Sequence, residues 1–475
     1  MLLLLACVVV GGTGGYVLAT HGHSAHKVTA DPSDPAGFNA ATPVAVGANA
    51  ACAIVTGGHV DCWGANPGGL LGTGSGSTTG CDGYCTPTAH QVTDLDGVIS
   101  LAVGNEFACA LLQSGAVDCW GANNYGQLGS GADTNGPESC VGAGNDLPCS
   151  PVPVAVKGVH DAVSLAAGPV DACAVIRSGA VYCWGAATAG ALGDASANGA
   201  GVCSVAAQAA QCSSSPVPVF GLGDATAVSV GSLGACALVH GGRVVCWGND
   251  ASAQLGDGVT TGPQTCMNAG SSQPCSMEPV LVRGLAHATA ITVGSTDACA
   301  LLRGGTIDCW GDDSAGALGD DGAGSTARCG PQATACADHA VRVDLRGRAS
   351  LVAAGQEDTC ALLAGGRADC WGTDANGELG DRDQAVLSNC VGTDQRADQP
   401  CARTPVPVSG LTHLKAISVG YGSACAVGAG GSVSCWGSND TGQLGSGGDT
   451  GPRDCSSAPD PGPCSMRPVA VDGIS

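Results

Sequence analysis

Large side chains are scarce in this chain. Aromatic residues are 3% of its 475 residues (three Phe, five Tyr and seven Trp), and there are four Met. A core resting on bulky aromatic side chains in the ordinary way is therefore excluded. Basic residues are scarce too: 17 Lys and Arg stand against 40 Asp and Glu, a formal net charge of −23. Nucleic-acid binding depends on neutralising phosphates with Lys and Arg, so DNA and RNA drop out as partners. The acid excess suits solubility, or else a basic partner or a cation. What is abundant is glycine, at 78 residues, and cysteine, at 29. So many cysteines persist as disulfides only in an oxidising compartment. That compartment places the chain outside the cytoplasm, and the cystines supply rigidity that bulk does not.

The first twenty residues, MLLLLACVVVGGTGGYVLAT, carry no charge, and as a helix they are roughly long enough to span a bilayer. Three readings stand: a cleaved signal peptide cut after Val17-Leu18-Ala19, an uncleaved anchor, or a lipoprotein box in LLAC with Cys7 as the lipidation site. The usual basic n-region is missing, so Met1 need not be the true start. Each reading exports the remainder of the chain. The glycines of VVVGGTGG do not fit a G-x-G-x-x-G turn. Residues 21–39 read as a flexible linker, and its His21, His23 and His26 have no preformed geometry for a metal.

From residue 40 onward the chain repeats itself. Trp63, Trp120, Trp184, Trp247, Trp310, Trp371 and Trp436 are each preceded by cysteine and followed by glycine. Ten residues before each of those cysteines stands another, giving the pairs Cys52 and Cys62, Cys109 and Cys119, Cys173 and Cys183, Cys236 and Cys246, Cys299 and Cys309, Cys360 and Cys370, Cys425 and Cys435. A glycine precedes each pair by five residues, from Gly47 to Gly420, and Leu-Gly follows each Trp. The unit G-x4-C-A-x8-C-W-G-x7-L-G occurs seven times.

Within a unit, CALLQSGAVDC alternates small and apolar residues about a turn signal, which marks a β-hairpin. A three-residue loop with Gly115 in the left-handed position pairs Leu112 with Ala116 and so sets Cys109 opposite Cys119. Opposed Cβ atoms at a non-hydrogen-bonded site lie about 4.5–5.5 Å apart, within reach of a disulfide after a small adjustment. Each tryptophan should wedge against the neighbouring repeat. Two further strand-like runs precede each hairpin, such as PVPVAV (151–156) and AVSLAAG (162–168). Four short strands per repeat, seven times over, predict an all-β fold, a seven-bladed β-propeller of four-stranded antiparallel blades. TPVAVG (42–47) matches only the second strand of a repeat and RPVAVDG (467–473) only the first. The C-terminal strand is therefore expected to join the N-terminal blade and close the ring over residues 40–475, removing a free edge.

The seven units, AVSVGSLGACALVHGGRVVCWGNDASAQLG among them, resemble the repeat of the regulator-of-chromosome-condensation family, a seven-bladed propeller. The family's histidine is replaced here by Ala50, Phe107, Asp171, Gly234, Asp297, Asp358 and Ser423. The resemblance implies the fold. Guanine-nucleotide exchange and chromatin binding, known in the family's nuclear members, do not suit an exported, acidic, cystine-laden chain.

Between each Leu-Gly and the next Pro-Val run lies an insertion with its own cysteines: Cys81 and Cys85, Cys140 and Cys149, Cys203 and Cys212, Cys266 and Cys275, Cys329 and Cys336, Cys390 and Cys401, Cys455 and Cys464. Fourteen hairpin and fourteen insertion cysteines leave Cys7 over, a parity that favours disulfides. Zinc would need short C-x2–4-C pairs converging on one site, which the spacings do not give, so no metal and no cofactor is expected. The insertions vary in length and sequence yet occupy one place in every blade, so they should emerge on one face as a binding surface. Asp82, Tyr84, Asn145, Asp146, Asn268, Asp394, Arg396 and Asp460 are the candidate contact residues. The alternative is a set of protease-resistant loops with no partner. His59, His90, His160, His240, His287, His339 and His413 form no recurring constellation, so catalysis is not expected. DDSAGALGDD (312–321) and DANGELGD (374–381) resemble fragments of calcium loops but read as structural turns. The sequence thus points to an exported monomer that binds or adheres through a protein or glycan partner, attached to a membrane if its N-terminus is retained. A secreted protein inhibitor, or an enzyme with its site in the channel, is the alternative.

Overall fold

The computed structural model describes residues 43–474 apart from 75–83, 132–137, 143–144, 197–200, 206–207, 269–270, 382–387, 391–398 and 449–461. Seven antiparallel sheets follow one another along the chain, at 44–91, 98–155, 162–218, 225–281, 288–342, 349–407 and 414–470. The first blade holds β1 (Val44–Val46), β2 (Ala50–Val55), β3 (His59–Ala65) and β4 (Cys85–Gln91), paired in that order. The second holds β5 (Val98–Val103), β6 (Phe107–Leu112), β7 (Val117–Ala122), β8 (Glu138–Gly142) and β9 (Asn145–Ala155), paired β5-β6-β7-β9-β8. Blades 3 to 6 repeat the second pattern. The insertions of blades 2 to 6 are thus hairpins, and one arm of each is a fifth strand beyond the four expected.

The hairpin register matches the sequence pattern. Cys109 lies opposite Cys119, Leu112 donates its N–H to the Ala116 carbonyl at 2.9 Å, and Gly115 has φ +81°. The same opposition recurs in every blade, and each expected hairpin pair is joined. Cys52 is bonded to Cys62, Cys109 to Cys119, Cys173 to Cys183 and Cys236 to Cys246. Cys299 is bonded to Cys309, Cys360 to Cys370 and Cys425 to Cys435. Their Cα atoms stand 4.0–4.1 Å apart, drawn in from the roughly 4.5 Å of an unbridged non-hydrogen-bonded pair. The glycine after each tryptophan opens a bulge. Gly121 has φ +102°, and a Cβ there would stand 2.5 Å from the Glu106 carbonyl oxygen. Only glycine takes that conformation cheaply.

The cores lie between blades. Behind the second blade the Cys109–Cys119 cystine, Phe107, Leu111 and Val117 meet Leu128, Val156, Ala172, Ala174 and Trp184. The six other interfaces repeat this composition of cystine, alanine, valine, leucine and one indole. Each indole N–H also crosses to a carbonyl of the blade before it: Trp120 to Leu70 at 2.7 Å, Trp184 to Gln127 at 2.9 Å, Trp436 to Glu378 at 2.7 Å. A buried indole needs such an acceptor. One large side chain per blade, held at both ends, replaces a bulky core.

One expectation is corrected. The C-terminal strand Cys464–Ala470 pairs with Val433–Ser438, Cys435 opposite Val469, and finishes the seventh blade rather than the first. Every Pro-Val run is the outer strand of the blade before it, as β9 is for β7. A chain leaving the Cys-Trp-Gly strand reverses and returns antiparallel beside it, so its backbone groups are satisfied by the nearest partner. The ring closes instead through one more ordinary interface: Trp63 donates to the Gln443 carbonyl at 2.9 Å, and Asp472 accepts from the Ala89 N–H at 3.2 Å.

Candidate ligand-binding face

Each inner strand runs toward one end of the ring and stops at the glycine that opens the unit. The seven glycines form a closed collar: a Cβ on Gly47 would stand 2.2 Å from the Gly104 carbonyl oxygen, and so on round to Gly420 against Gly47. Real Cβ atoms do not approach so closely, so the inner strands meet because these residues have no side chain. The collar lines the axial cavity, about 390 Å³ with the part open to solvent, together with the residues after each glycine, which differ: Ala48, Asn105, Pro169, Ser232 and Tyr421 are among them. Tyr421 reaches across the axis, its hydroxyl hydrogen-bonded to Ser232 and, at 3.3 Å, to Ser295. Ser232 and Ser295 are 2.8 Å apart. The residues just after the glycine vary from unit to unit while the Cys-Ala that follows does not, and that variation is the signal by which the sequence could have revealed this polar mouth.

The insertion hairpins stand at the same end, since β7 ends beside the turn between β5 and β6, with Ala122 donating to the Glu106 carbonyl at 2.8 Å. Cys203–Cys212, Cys266–Cys275, Cys329–Cys336 and Cys390–Cys401 are joined with Cα atoms 5.8–6.0 Å apart. Cys85, Cys149 and Cys464 are disulfide-bonded too. Their expected partners Cys81 and Cys455 lie outside the described residues, as does the side chain of Cys140. These cystines pack on the preceding blade: Cys266 and Cys275 against Ala189, Cys329 and Cys336 against Ala253. Among the expected contact residues, Tyr84 is 49% exposed and Asn268 sits half-buried at the turn of its hairpin, beside Met267 at 54% exposed. Asn145 and Asp146 lie on β9, with side chains outside the described residues. Asp82, Asp394, Arg396, Asp460 and Cys7 are likewise outside them.

Beneath the mouth lie carboxyl groups at three of the positions where the family carries histidine. Asp171, Asp297 and Asp358 are 1–2% exposed, and burial drives their pKa values well above the carboxylate range. For Asp358 the neighbouring Glu378, Asp297, Glu357 and Asp374 push the same way. Such groups hold their protons and serve as neutral packing rather than charge. In the stretches resembling calcium loops, Asp313 and Asp374 accept the N–H of Leu318 and Leu379 at 3.3 and 3.0 Å, as Asn123 does for Leu128 at 3.1 Å. They are turn caps. The histidines are not brought together: His160, His240, His287 and His413 occupy turns and crossovers at the opposite end of the ring, where His59 opens β3, while His90 and His339 lie on outer strands. Among the described residues no group of three or more His, Cys, Asp or Glu is placed to hold a metal ion.

Residues 98–127 match the model of the regulator of chromosome condensation (RCC1) repeat. A chain in the crystal structure of Kap60 bound to yeast RCC1 (Prp20) superposes with a TM-score of 0.65 at 19% identity, covering 98% of this chain and 91% of that one. The chain is a seven-bladed β-propeller in which residues 98–127 match an RCC1 repeat. Prp20p from Saccharomyces cerevisiae superposes at 0.64 and 18% identity over 91% and 88% of the two chains. By sequence, the propeller is 26% identical over 367 residues to protein pim1 of Schizosaccharomyces pombe, which is 75% of this chain and 61% of pim1. It is 27% identical over 271 residues to the human E3 ubiquitin-protein ligase HERC2, 54% of this chain and 5% of HERC2. The chain thus spans under two thirds of pim1 and a small part of HERC2.

Proposed function

We propose that this propeller is an exported protein-binding module, working at the cell surface or beyond it as an adhesion or recognition element. Its partner sits on the hairpin face, centred on the polar mouth. The observation that carries this reading is the contrast between an invariant frame and insertions that differ from one another, those of blades 2 to 6 standing as hairpins at one end of the ring. Stapled hairpins lose little freedom on binding, so contacts made there are retained as affinity. Cystines in every blade suit an oxidising compartment. The structure of Prp20p was reported with its binding to Gsp1p and histones, which supports a protein partner on this kind of scaffold. A glycan on the same face is the finer alternative.

The test is an array of extracellular proteins and glycans probed with the oxidised chain, followed by Tyr84→Ala, Met267→Ala and Tyr421→Phe. Loss of affinity in the first two, with thermal stability intact, supports the reading. A ligand whose affinity ignores all three and responds instead to changes at the opposite end of the ring overturns it.

A further inference from the structure

The end of the ring opposite the hairpins carries an arc of cations. Arg177 and Arg303 occupy hairpin turns, Arg367 opens the strand after one, and Arg283, Arg348 and Lys415 lie on or beside the crossovers between blades. All six are exposed, and among the described residues none makes an ion pair. Neighbouring members are joined through the backbone. Arg303 donates its N–H to the His287 carbonyl at 2.9 Å, Ala364 donates to the Arg348 carbonyl at 2.7 Å, and Leu414 donates to Gly366 at 2.9 Å. Arg243, Arg342 and Arg346 lie along the same arc, paired with Asp224 at 3.9 Å, with Asp308, and with Asp369 at 3.3 Å. The matching stretch of blades 1 to 3 is mixed instead: Asp94, Asp96, Asp161 and Asp224 are exposed there beside Lys157 and Arg177, and Arg177 donates its N–H to the Asp161 carbonyl at 2.9 Å. On the basic side the exposed carboxylates among the described residues are Asp344 and Asp472. In a chain of net charge −23, eight of these nine cations lie on blades 4 to 7 of one face, a concentrated feature.

We propose that this arc rests on the phosphate headgroups of an anionic lipid bilayer, leaving the hairpin face turned outward. The face is made of turn tips and crossovers at one level, which suits a plane better than a chain threading a groove. Leu281, 50% exposed, lies on it two residues before Arg283. The described chain enters here as well: Pro43 accepts the Ile54 N–H at 2.8 Å at the turn end of the first blade. Exposed guanidinium groups near an anionic surface each add attraction that falls off within a Debye length.

The test is partitioning of the full oxidised chain onto vesicles of phosphatidylcholine alone and of phosphatidylcholine with 30% phosphatidylglycerol, at low and high salt. Any insertion of the apolar start contributes equally to both, so the readout is the increment due to the anionic lipid. That increment is expected to be roughly tenfold or more, to vanish at high salt, and to be lost in Arg303→Glu/Arg348→Glu/Arg367→Glu/Lys415→Glu with the melting temperature retained. Glutamine at the same four positions is the milder variant should the reversal disturb folding. An absent increment, or one that survives both variants, overturns the proposal. So does binding of soluble dextran sulfate, sensitive to these four residues, without enrichment on anionic vesicles, which would assign the arc to a polyanionic glycan.

Discussion

Asp250, Asp313 and Asp374 stand where other blades carry Asn66, Asn123 and Asn439, and all six side-chain oxygens accept a bond from the leucine N–H five residues on. An amide does this without charge. In a carboxyl this bond favours the ionised form, but burial outweighs it and raises Asp250 to about 7 and Asp313 to about 6. A folded value above the unfolded one means that the folded protein keeps a proton the unfolded chain has released. Stability is therefore lost as pH climbs from 3.8 toward about 7, and is undiminished below that window. Asp250→Asn keeps the bond to Leu255 and removes the titration. Its stability gain over the parent should be near zero at pH 4 and reach up to about 4 kcal/mol at pH 8. Calorimetry of both proteins across that range checks it, and a gain that does not grow with pH would refute the argument. The turn itself could be read from the sequence, because Asp or Asn follows six of the seven tryptophans, Ala187 standing in its place after Trp184. The buried state of the carboxyl could not, since it depends on the next blade closing over it.

At the scale of the strand pair, register was legible because it is covalent arithmetic: ten residues between cysteines and one glycine in the turn leave a single way to oppose the sulfurs. The insertions were less so. Their cysteines are not directly opposed; Cys266 faces Gln273 while Cys275 faces Gln264. Spacing from seven to eleven residues and polar sequence hid a fifth strand behind the look of a loop. The outer strand is hard to assign for a related reason: a Pro-Val run names a strand but not its partner. Closing a ten-residue loop is worth about 3 kcal/mol in the chain-entropy model. Cys236→Ala/Cys246→Ala should therefore lower unfolding free energy by that amount, with a further cost from the void beside Trp310, which packs in the same cluster. Denaturant unfolding measures it. A loss under about 1 kcal/mol would mean that the strand pairing, not the cystine, holds the hairpin.

For the whole ring, all eleven described disulfides join cysteines no more than eleven residues apart and inside one blade. These eleven bonds therefore stiffen blades and do not join one blade to the next. No strand is exchanged between the last blade and the first among the described residues, so the interface of blades 7 and 1 repeats the indole contact of the others and adds a bond from the Thr441 hydroxyl to the Asn49 carbonyl at 2.9 Å. Trp63 meets the Gln443 carbonyl there as Trp247 meets Ala191 inside the ring, each at 2.9 Å. Gly445 lies against Trp63 just as Gly193 lies against Trp247. Replacing either indole by phenylalanine opens a void and strands a buried carbonyl, a cost of about 2–4 kcal/mol. Trp63→Phe and Trp247→Phe should therefore cost the same to within about 1 kcal/mol, measured by chemical denaturation of the oxidised protein. If the blade 7–1 variant proves much milder, the two chain ends are tied by something besides this interface. If it alone opens the ring, seen as a larger hydrodynamic radius with the blades still folded, closure is the weak seam of the molecule.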